Sequence, residues 1–196
     1  METETTVIDD FTLIRAIQTG DNQAFESLVR RYQRQVANLI YLTMGNRDDV
    51  EDIAQEVFIR VYRSLPRFKF DASFFSWIYR ITKNLCIDEI RKRKIRKVLS
   101  LDFLTEDALE KNKKNKDTFM PSDSMMTEEK REVIQKALQQ LKPEYREVLV
   151  LREYEDLGYT EISETLGISL EAVKSRIFRA RNELKNLLSD YFVERT

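Results

Sequence analysis

The sequence predicts an all-α protein of two small helical domains joined by a flexible linker, the C-terminal one containing a helix-turn-helix. Three observations carry that expectation. Apolar residues recur at helical spacing from about residue 10 to about residue 99 and again from residue 127. Between these blocks lies a stretch containing Lys111-Asn112-Lys113-Lys114-Asn115-Lys116 and Pro121-Ser122-Asp123-Ser124, too polar to bury a core. Only four Gly and three Pro occur in 196 residues, which leaves room for few tight turns.

The first domain, residues 1–99, is expected to hold helices over Asp10–Thr19, Asn22–Met44, Arg47–Ser64 and Ser73–Arg96. Gly20-Asp21 and Gly45-Asn46 separate the first three, and Pro66–Ala72 reads as a loop before the fourth. Residues 100–126 read as the linker, although Leu101, Phe103 and Leu104 could dock on a neighbouring surface. In the second domain, residues 127–196, Thr127 is the expected N-cap of a helix over Glu128–Leu141. Helices then follow over Pro143–Glu153, Thr160–Leu166 and Leu170–Asp190.

Composition narrows the chemistry. One cysteine, Cys86, allows no internal disulfide, and with no histidine there is no Cys/His set for a structural zinc. Cys86 reads as a packed thiol, with a redox-sensing role as the alternative. Met1–Asp10 lacks the apolar run of a signal peptide, and no stretch approaches the roughly 18–20 apolar residues of a membrane span. A reduced, cytoplasmic protein without membrane insertion is expected. Its formal net charge is −1, but the signs are segregated: acids dominate Asp48–Glu56, while Arg91–Lys97 and Lys174–Lys185 are basic. Separate acidic and basic faces suit two different partners.

The segment from Thr160 to Ser169, continued from Leu170, has the form of a helix-turn-helix. Ile162 and Leu166 share a face, Ser163 is small enough for close approach of the second helix, and Gly167 can take the positive φ of the turn. Ser169 can cap the second helix, with Glu171 in its first turn. At about 100° per residue, Val173, Ile177, Ala180, Leu184 and Leu188 form an apolar stripe. Ser175, Phe178, Arg179 and Asn182 point away from it, flanked by Lys174, Arg176, Arg181 and Lys185. An aromatic exposed among cations suits the major groove, where Arg pairs with guanine and Phe touches a thymine methyl. The alternative is an ordinary amphipathic helix with a charged surface.

Two features of the first domain remain. Val50, Ile53, Ala54, Val57 and Val61 form a buried stripe, with Asp48, Asp52, Gln55 and Ile59 opposite. Asp48 and Asp52 could chelate a divalent cation, as in a metal-dependent nuclease, or could simply favour a helix N-terminus. In the fourth helix Phe74, Ile78, Ile81 and Leu85 suffice for a core face. Yet Phe75, Trp77 and Tyr79 crowd beside Arg80, Lys83, Asn84, Arg91 and Lys92, a mixture suited to unstacked bases and phosphates as well as to packing.

A resemblance joins these features. Gly20–Phe25, Asp52–Phe58, Phe75–Ile81 and Asn84–Arg91 resemble the N-terminal domain of bacterial sigma factors of the extracytoplasmic-function group. Leu141–Arg146 and Val173–Arg181 resemble its C-terminal domain. The resemblance implies a helical factor that recruits core RNA polymerase and directs promoter-specific initiation with DNA melting, without catalytic residues, metal, cofactor or small-molecule substrate. It assigns Asp48, Asp52, Gln55, Glu56 and Ile59 to the coiled coil of the polymerase β′ subunit, and implies contact with the β flap. It assigns the Pro66–Ala72 loop, with Arg67 and Phe68, and the helix bearing Trp77, Arg80, Lys83, Asn84 and Arg91 to the −10 promoter element. The loop would pocket a base flipped from a displaced strand. Glu171, Lys174, Ser175, Arg176, Phe178, Arg179 and Arg181 would face the −35 element. An anti-sigma factor is an implied further partner.

The chain departs from that family's usual pattern at Thr82-Lys83 and at Ser169-Leu170-Glu171, where a Pro-x-Gly pattern is usual. Lys83 could add a phosphate contact, and Glu171 could accept from a cytosine amino group or repel phosphate. The promoter sequence therefore cannot be copied from relatives. A stand-alone helix-turn-helix regulator remains the alternative function.

Overall fold

The computed structural model describes residues 8–101 and 128–193, and within them every regular element is helical. The first block comprises α1 (Asp10–Gln18), α2 (Asn22–Met44), α3 (Val50–Ser64), a short 3-10 turn (Leu65–Arg67) and α4 (Phe74–Leu101). The second comprises α5 (Glu128–Gln140), α6 (Pro143–Leu149), a π-turn (Val150–Tyr154), α7 (Tyr159–Leu166) and α8 (Leu170–Val193).

Local signals set most of the ends. The Asp9 carboxylate accepts from the Thr12 amide at 2.9 Å and starts α1, and Asp21 accepts from Gln23 and Ala24 at 2.8 and 3.2 Å to start α2. Gly45 closes α2 at φ 76°, its amide donating to Tyr41 O at 2.8 Å. In the first block two boundaries differ from the sequence reading by three residues or more. α3 begins at Val50 rather than Arg47: residues 46–50 form a turn in which the Asp48 amide donates to Asn46 Oδ1 at 2.9 Å and the Val50 amide to Arg47 O at 3.1 Å, while the Asp49 carboxylate pairs with Arg93 on α4. α4 runs to Leu101, so Ser100 and Leu101, read as the start of the linker, are helical. The Arg/Lys-rich end of α4 has the propensity to propagate a helix without a buried stripe. The rest of the linker, with Phe103 and Leu104, and the expected Thr127 cap lie outside the described residues.

The first core forms where α1–α4 meet, around Ile14, Leu28, Val36, Ile40, Val57, Val61, Leu65, Phe74, Ile78 and Cys86. Burial, and then the Asp49 charge, push the Cys86 thiol up to about 12, which makes it a packed, unreactive group. Gln18 on α1 donates to the carbonyls of Leu65 and Phe68 at 3.0 and 3.3 Å and so fixes the path of the loop into α4. Beside those contacts Phe70 sits at φ 59°, an unfavourable conformation for an aromatic residue, held by ring contacts with Phe68 and Phe11 at 5.1 and 5.5 Å.

The second core is built from Leu138, Leu141, Val148–Leu151, Ile162, Val173, Ile177 and Ala180, but it also takes in Leu39, Leu42 and Tyr79 of the first block. The two blocks thus pack directly on each other, which the sequence does not announce. Gln135 and Gln139 on α5 donate to the carbonyls of Tyr41 and Leu42 at 2.9 and 2.8 Å near the end of α2. Arg146 reaches Thr43 O at 3.2 Å.

Glu155, just past the π-turn, lies against Arg34 and Gln35 of α2, with one carboxylate oxygen buried and unpartnered. Burial raises its pKa to about 7, against the opposing pull of the Gln35 hydrogen bond and the Arg34 charge. The folded chain therefore holds this proton more tightly than the unfolded one. Its contribution to stability is complete below the unfolded value near 4.5 and is lost as pH rises through about 7. Thermal unfolding should thus show a higher Tm at pH 5.5 than at pH 8, and Glu155→Gln should flatten the difference. An unchanged pH dependence in that variant would remove Glu155 as its source.

Candidate nucleic-acid and polymerase interfaces

The C-terminal helix pair has the geometry the sequence predicts. Gly167 turns the chain at φ 65°, the Ser163 hydroxyl donates to Ile168 O at 2.5 Å, and Ser169 Oγ accepts from the Ala172 amide at 3.2 Å to start α8. At the start of α7 the Gly158 amide donates to Glu161 Oε2 at 2.7 Å. Val173, Ile177 and Ala180 are buried under α6 and α7. That burial fixes which face of α8 is presented outward. Glu171, Lys174, Ser175, Phe178, Arg179 and Arg181 are all exposed, and Arg176 is half-buried.

Phe178 is 68% exposed, a large cost in apolar surface unless something covers it. Arg181 differs from its neighbours: both Nε and Nη2 donate to Glu153 Oε1, at 3.1 and 2.7 Å, which ties the end of the exposed row back to the π-turn.

On α4 the expected residues divide. Phe74, Ile78 and Leu85 enter the core and Ile81 is partly buried, as the helical spacing requires. Trp77 is half-buried, its ring tilted against Phe68 and Phe74 at 5.1 and 5.6 Å. Phe68, only 7% exposed, is the floor of this aromatic group rather than part of its outer surface. Arg67, Asn84 and Arg91 are exposed. Arg80 and Lys83 are engaged by the second block: Arg80 Nη2 donates to Glu164 O at 3.2 Å and Lys83 forms an ion pair with Glu147.

Two further α4 residues contact the second block and escaped the sequence reading in that role. Ser76 Oγ and Thr165 Oγ1 lie 2.8 Å apart, both buried, and the Tyr79 hydroxyl donates to Glu147 Oε1 at 2.6 Å. Burial, followed by the Glu147 charge, raises the Tyr79 pKa, so the phenol stays protonated and remains a donor. The only hint in the sequence was the excess of aromatics in this segment over what one core face needs.

The outer face of α3 carries Asp52, Gln55 and Ile59, all exposed, with exposed Asp48 just before the helix. Ile53, Val57 and Val61 are buried beneath. Glu56 is half-buried and pairs with Arg60 at 2.7 Å. Tyr62, 47% exposed, extends this face by one turn beyond Ile59 and was not anticipated. Among the described residues no group of three or more acidic or cysteine side chains converges as a metal site would require. Asp49 turns away to Arg93, so the acids line a helix edge instead of closing on a point.

Comparison with known proteins places both blocks. Residues 28–95 match the Sigma-70 region 2 family and residues 131–184 match the Sigma-70, region 4 family. The chain is 36% identical over 178 residues to the ECF RNA polymerase sigma factor SigW of Bacillus subtilis, covering 90% of this chain and 95% of that one. It is 35% identical over 182 residues to the ECF RNA polymerase sigma-E factor of Escherichia coli K12, covering 91% and 94%. Among solved structures, the fold is similar to that of the sigma factor RpoE crystallised with the anti-sigma factor NepR from Bartonella quintana. That match has a TM-score of 0.67 at 21% identity, over 85% of this chain and 98% of that one.

Proposed function

The chain belongs to the extracytoplasmic-function RNA polymerase sigma factors, alternative sigma factors that direct transcription initiation, and from that premise we propose how its surfaces divide the work. The domain formed by residues 1–99 engages core polymerase and the −10 element, the domain formed by residues 127–196 engages the −35 element, and residues 100–126 link them. The observation that carries this reading is the exposed row on α8, where Phe178 and Arg179 stand outward over the buried Val173, Ile177 and Ala180. Among the described residues nothing covers Phe178, which is 68% exposed, and the row's chemistry matches base edges in the major groove.

In this reading Glu171, Lys174, Ser175, Arg176, Phe178 and Arg179 meet −35 DNA, and Arg181 joins them after release from Glu153. Arg67, Trp77, Arg80, Lys83, Asn84 and Arg91 meet the −10 strand, with Phe68 supporting Trp77 from below. Asp48, Asp52, Gln55, Glu56 and Ile59 dock on the β′ coiled coil, with the β flap as a second polymerase contact. The protein works in the cytoplasm by binding alone, without catalytic residues, and an anti-sigma factor restrains it. The net charge of −1 is consistent with this, since a holoenzyme supplies most of the electrostatic attraction to DNA.

The test is transcription from a panel of random promoters by core polymerase with and without this protein. Specific starts that appear only with it are expected; their absence, with a cognate core, would favour a stand-alone regulator. Within the same assay Asp52→Ala combined with Gln55→Ala should weaken assembly with core about tenfold, as loss of two interface contacts predicts. DNA contacts on α8 should be unaffected, and unimpaired assembly would remove α3 from the polymerase interface.

A further inference from the structure

We infer that Phe70, together with Phe11 and Arg15 of α1, positions the loop between α3 and α4, and so sets how strictly that loop prefers one base of the −10 element. The inference rests on the −10 assignment above, in which none of these three residues has a DNA contact. It starts from a backbone outlier. Phe70 sits at φ 59°, where its Cβ crowds the following carbonyl and glycine would be the unstrained residue. An aromatic side chain keeps such a conformation only where its surroundings over-determine it. Here they do. The ring stands between Phe68 and Phe11, 5.1 and 5.5 Å away centre to centre, and the Arg15 guanidinium carbon lies 5.7 Å from its centre.

The edge of α1 that holds the loop is not one that the core requires. Phe11, Arg15 and Gln18 stand at i, i+4 and i+7, while Leu13 and Ile14 supply the buried side of the helix. All three are exposed, Phe11 by 45%. Yet each contacts the loop: Phe11 and Arg15 at Phe70, and Gln18 at the carbonyls of Leu65 and Phe68. One helix edge thus grips the loop at three points along its length.

Packing carries this grip to the base-binding side. Phe70 backs Phe68, and Phe68 in turn lies 5.1 Å from Trp77. Arg67 and Lys69, on either side of Phe68, are exposed. Were Phe70 to relax to negative φ, the chain leaving it towards α4 would change direction, and the loop would take several shapes in place of one. A loop with several shapes offers the wrong base a fit along with the right one, so discrimination falls. The fraction of chains ready for the strand falls with it.

The test is initiation by holoenzyme assembled with the full chain, at a promoter mapped with the unsubstituted protein and carrying each base in turn at every −10 position. In Phe11→Ala the preference for the best base should fall about fivefold at the one position the loop reads, and less than about twofold elsewhere. Phe11→Leu keeps an apolar contact on Phe70 and should restore most of the preference, which a ring stacking on a base itself would not allow. Phe70→Gly accepts φ 59° without strain but lacks the ring. It should lose preference to a similar extent, and adding Phe11→Ala should remove nothing further, because both act through one contact. Tm is followed in each variant, since a brace that served stability alone would lower initiation at every base alike. Unchanged preference in Phe11→Ala and Phe70→Gly would overturn the inference. So would an even loss at all positions, a failure of leucine to rescue, or a further loss in the double variant. Trp77→Ala reports separately on the −10 assignment. If it abolishes the preference while the brace variants keep it, only the positioning role is refuted. If it too leaves the preference intact, the −10 assignment falls and takes the inference with it.

Discussion

Replacing Arg146 with lysine should lower the stability of the chain by about 3 kcal/mol, although the charge is kept. The reason is the reach of its guanidinium. Nε donates to Leu138 O at 2.8 Å, Nη2 to Gln139 O and Leu141 O at 2.8 and 3.3 Å, and Nη1 to Gln139 Oε1 and Thr43 O at 2.9 and 3.2 Å. Leu138, Gln139 and Leu141 lie at the end of α5, where helical carbonyls lack donors within their own helix. One planar fork satisfies them and reaches across to the first block. A lysine ammonium has three donors at one point and cannot span these acceptors. Burial already disfavours the charge at this site, lowering the Arg146 pKa, so a poorly bonded ammonium would fare worse. Thermal unfolding should show Tm lower by roughly 6–12 °C for a chain of this size. A loss below about 2 °C would mean that water replaces the fork without penalty.

Arg179→Ala should have the largest effect on recognition. An arginine that pairs with one base edge is worth about 1–3 kcal/mol of discrimination, or roughly tenfold to a hundredfold in −35-dependent initiation. Arg179 is exposed on α8 beside Phe178 and away from the buried stripe, so its removal leaves the fold alone. Assembly with core polymerase should be unchanged, and preference should relax at one or two positions of the −35 element instead of falling evenly across promoters. An even loss across all sequences would make Arg179 a phosphate contact. Loss of core assembly would move the whole helix out of the −35 role.

How much of this was legible depends on the range of the interaction concerned. α2 could be bounded at both ends from sequence because Asp21 and Gly45 act within a few residues of themselves. The face of α8 was legible because a helix converts spacing into direction, and Val173, Ile177 and Ala180 left no choice about which side is buried. The π-turn was not legible. Val148-Leu149-Val150-Leu151 is a continuous apolar run whose phase gives no preferred face, and all four are buried. Nor was the junction between the blocks. Ser76 and Thr165 are separated by 89 positions, and each alone is an unremarkable small polar residue. Arg80 and Lys83 show the converse: their type and position marked them as binding residues, but sequence spacing could not say that the chain itself supplies the first partner.

The π-turn has one more consequence. Its wide loop, closed by Glu155 N to Val150 O at 3.2 Å, holds one residue more than an α-turn would between the same neighbours. One residue is about 100° of helical phase. Removing a residue here and letting α6 continue as an ordinary helix would swing α7 and α8 around the α6 axis by about that angle. The row of Phe178 and Arg179 would then aim at a different side of the molecule while every side chain in it stayed the same. The bearing of the outward face of α8 is thus set by backbone winding upstream, at a position that touches no base.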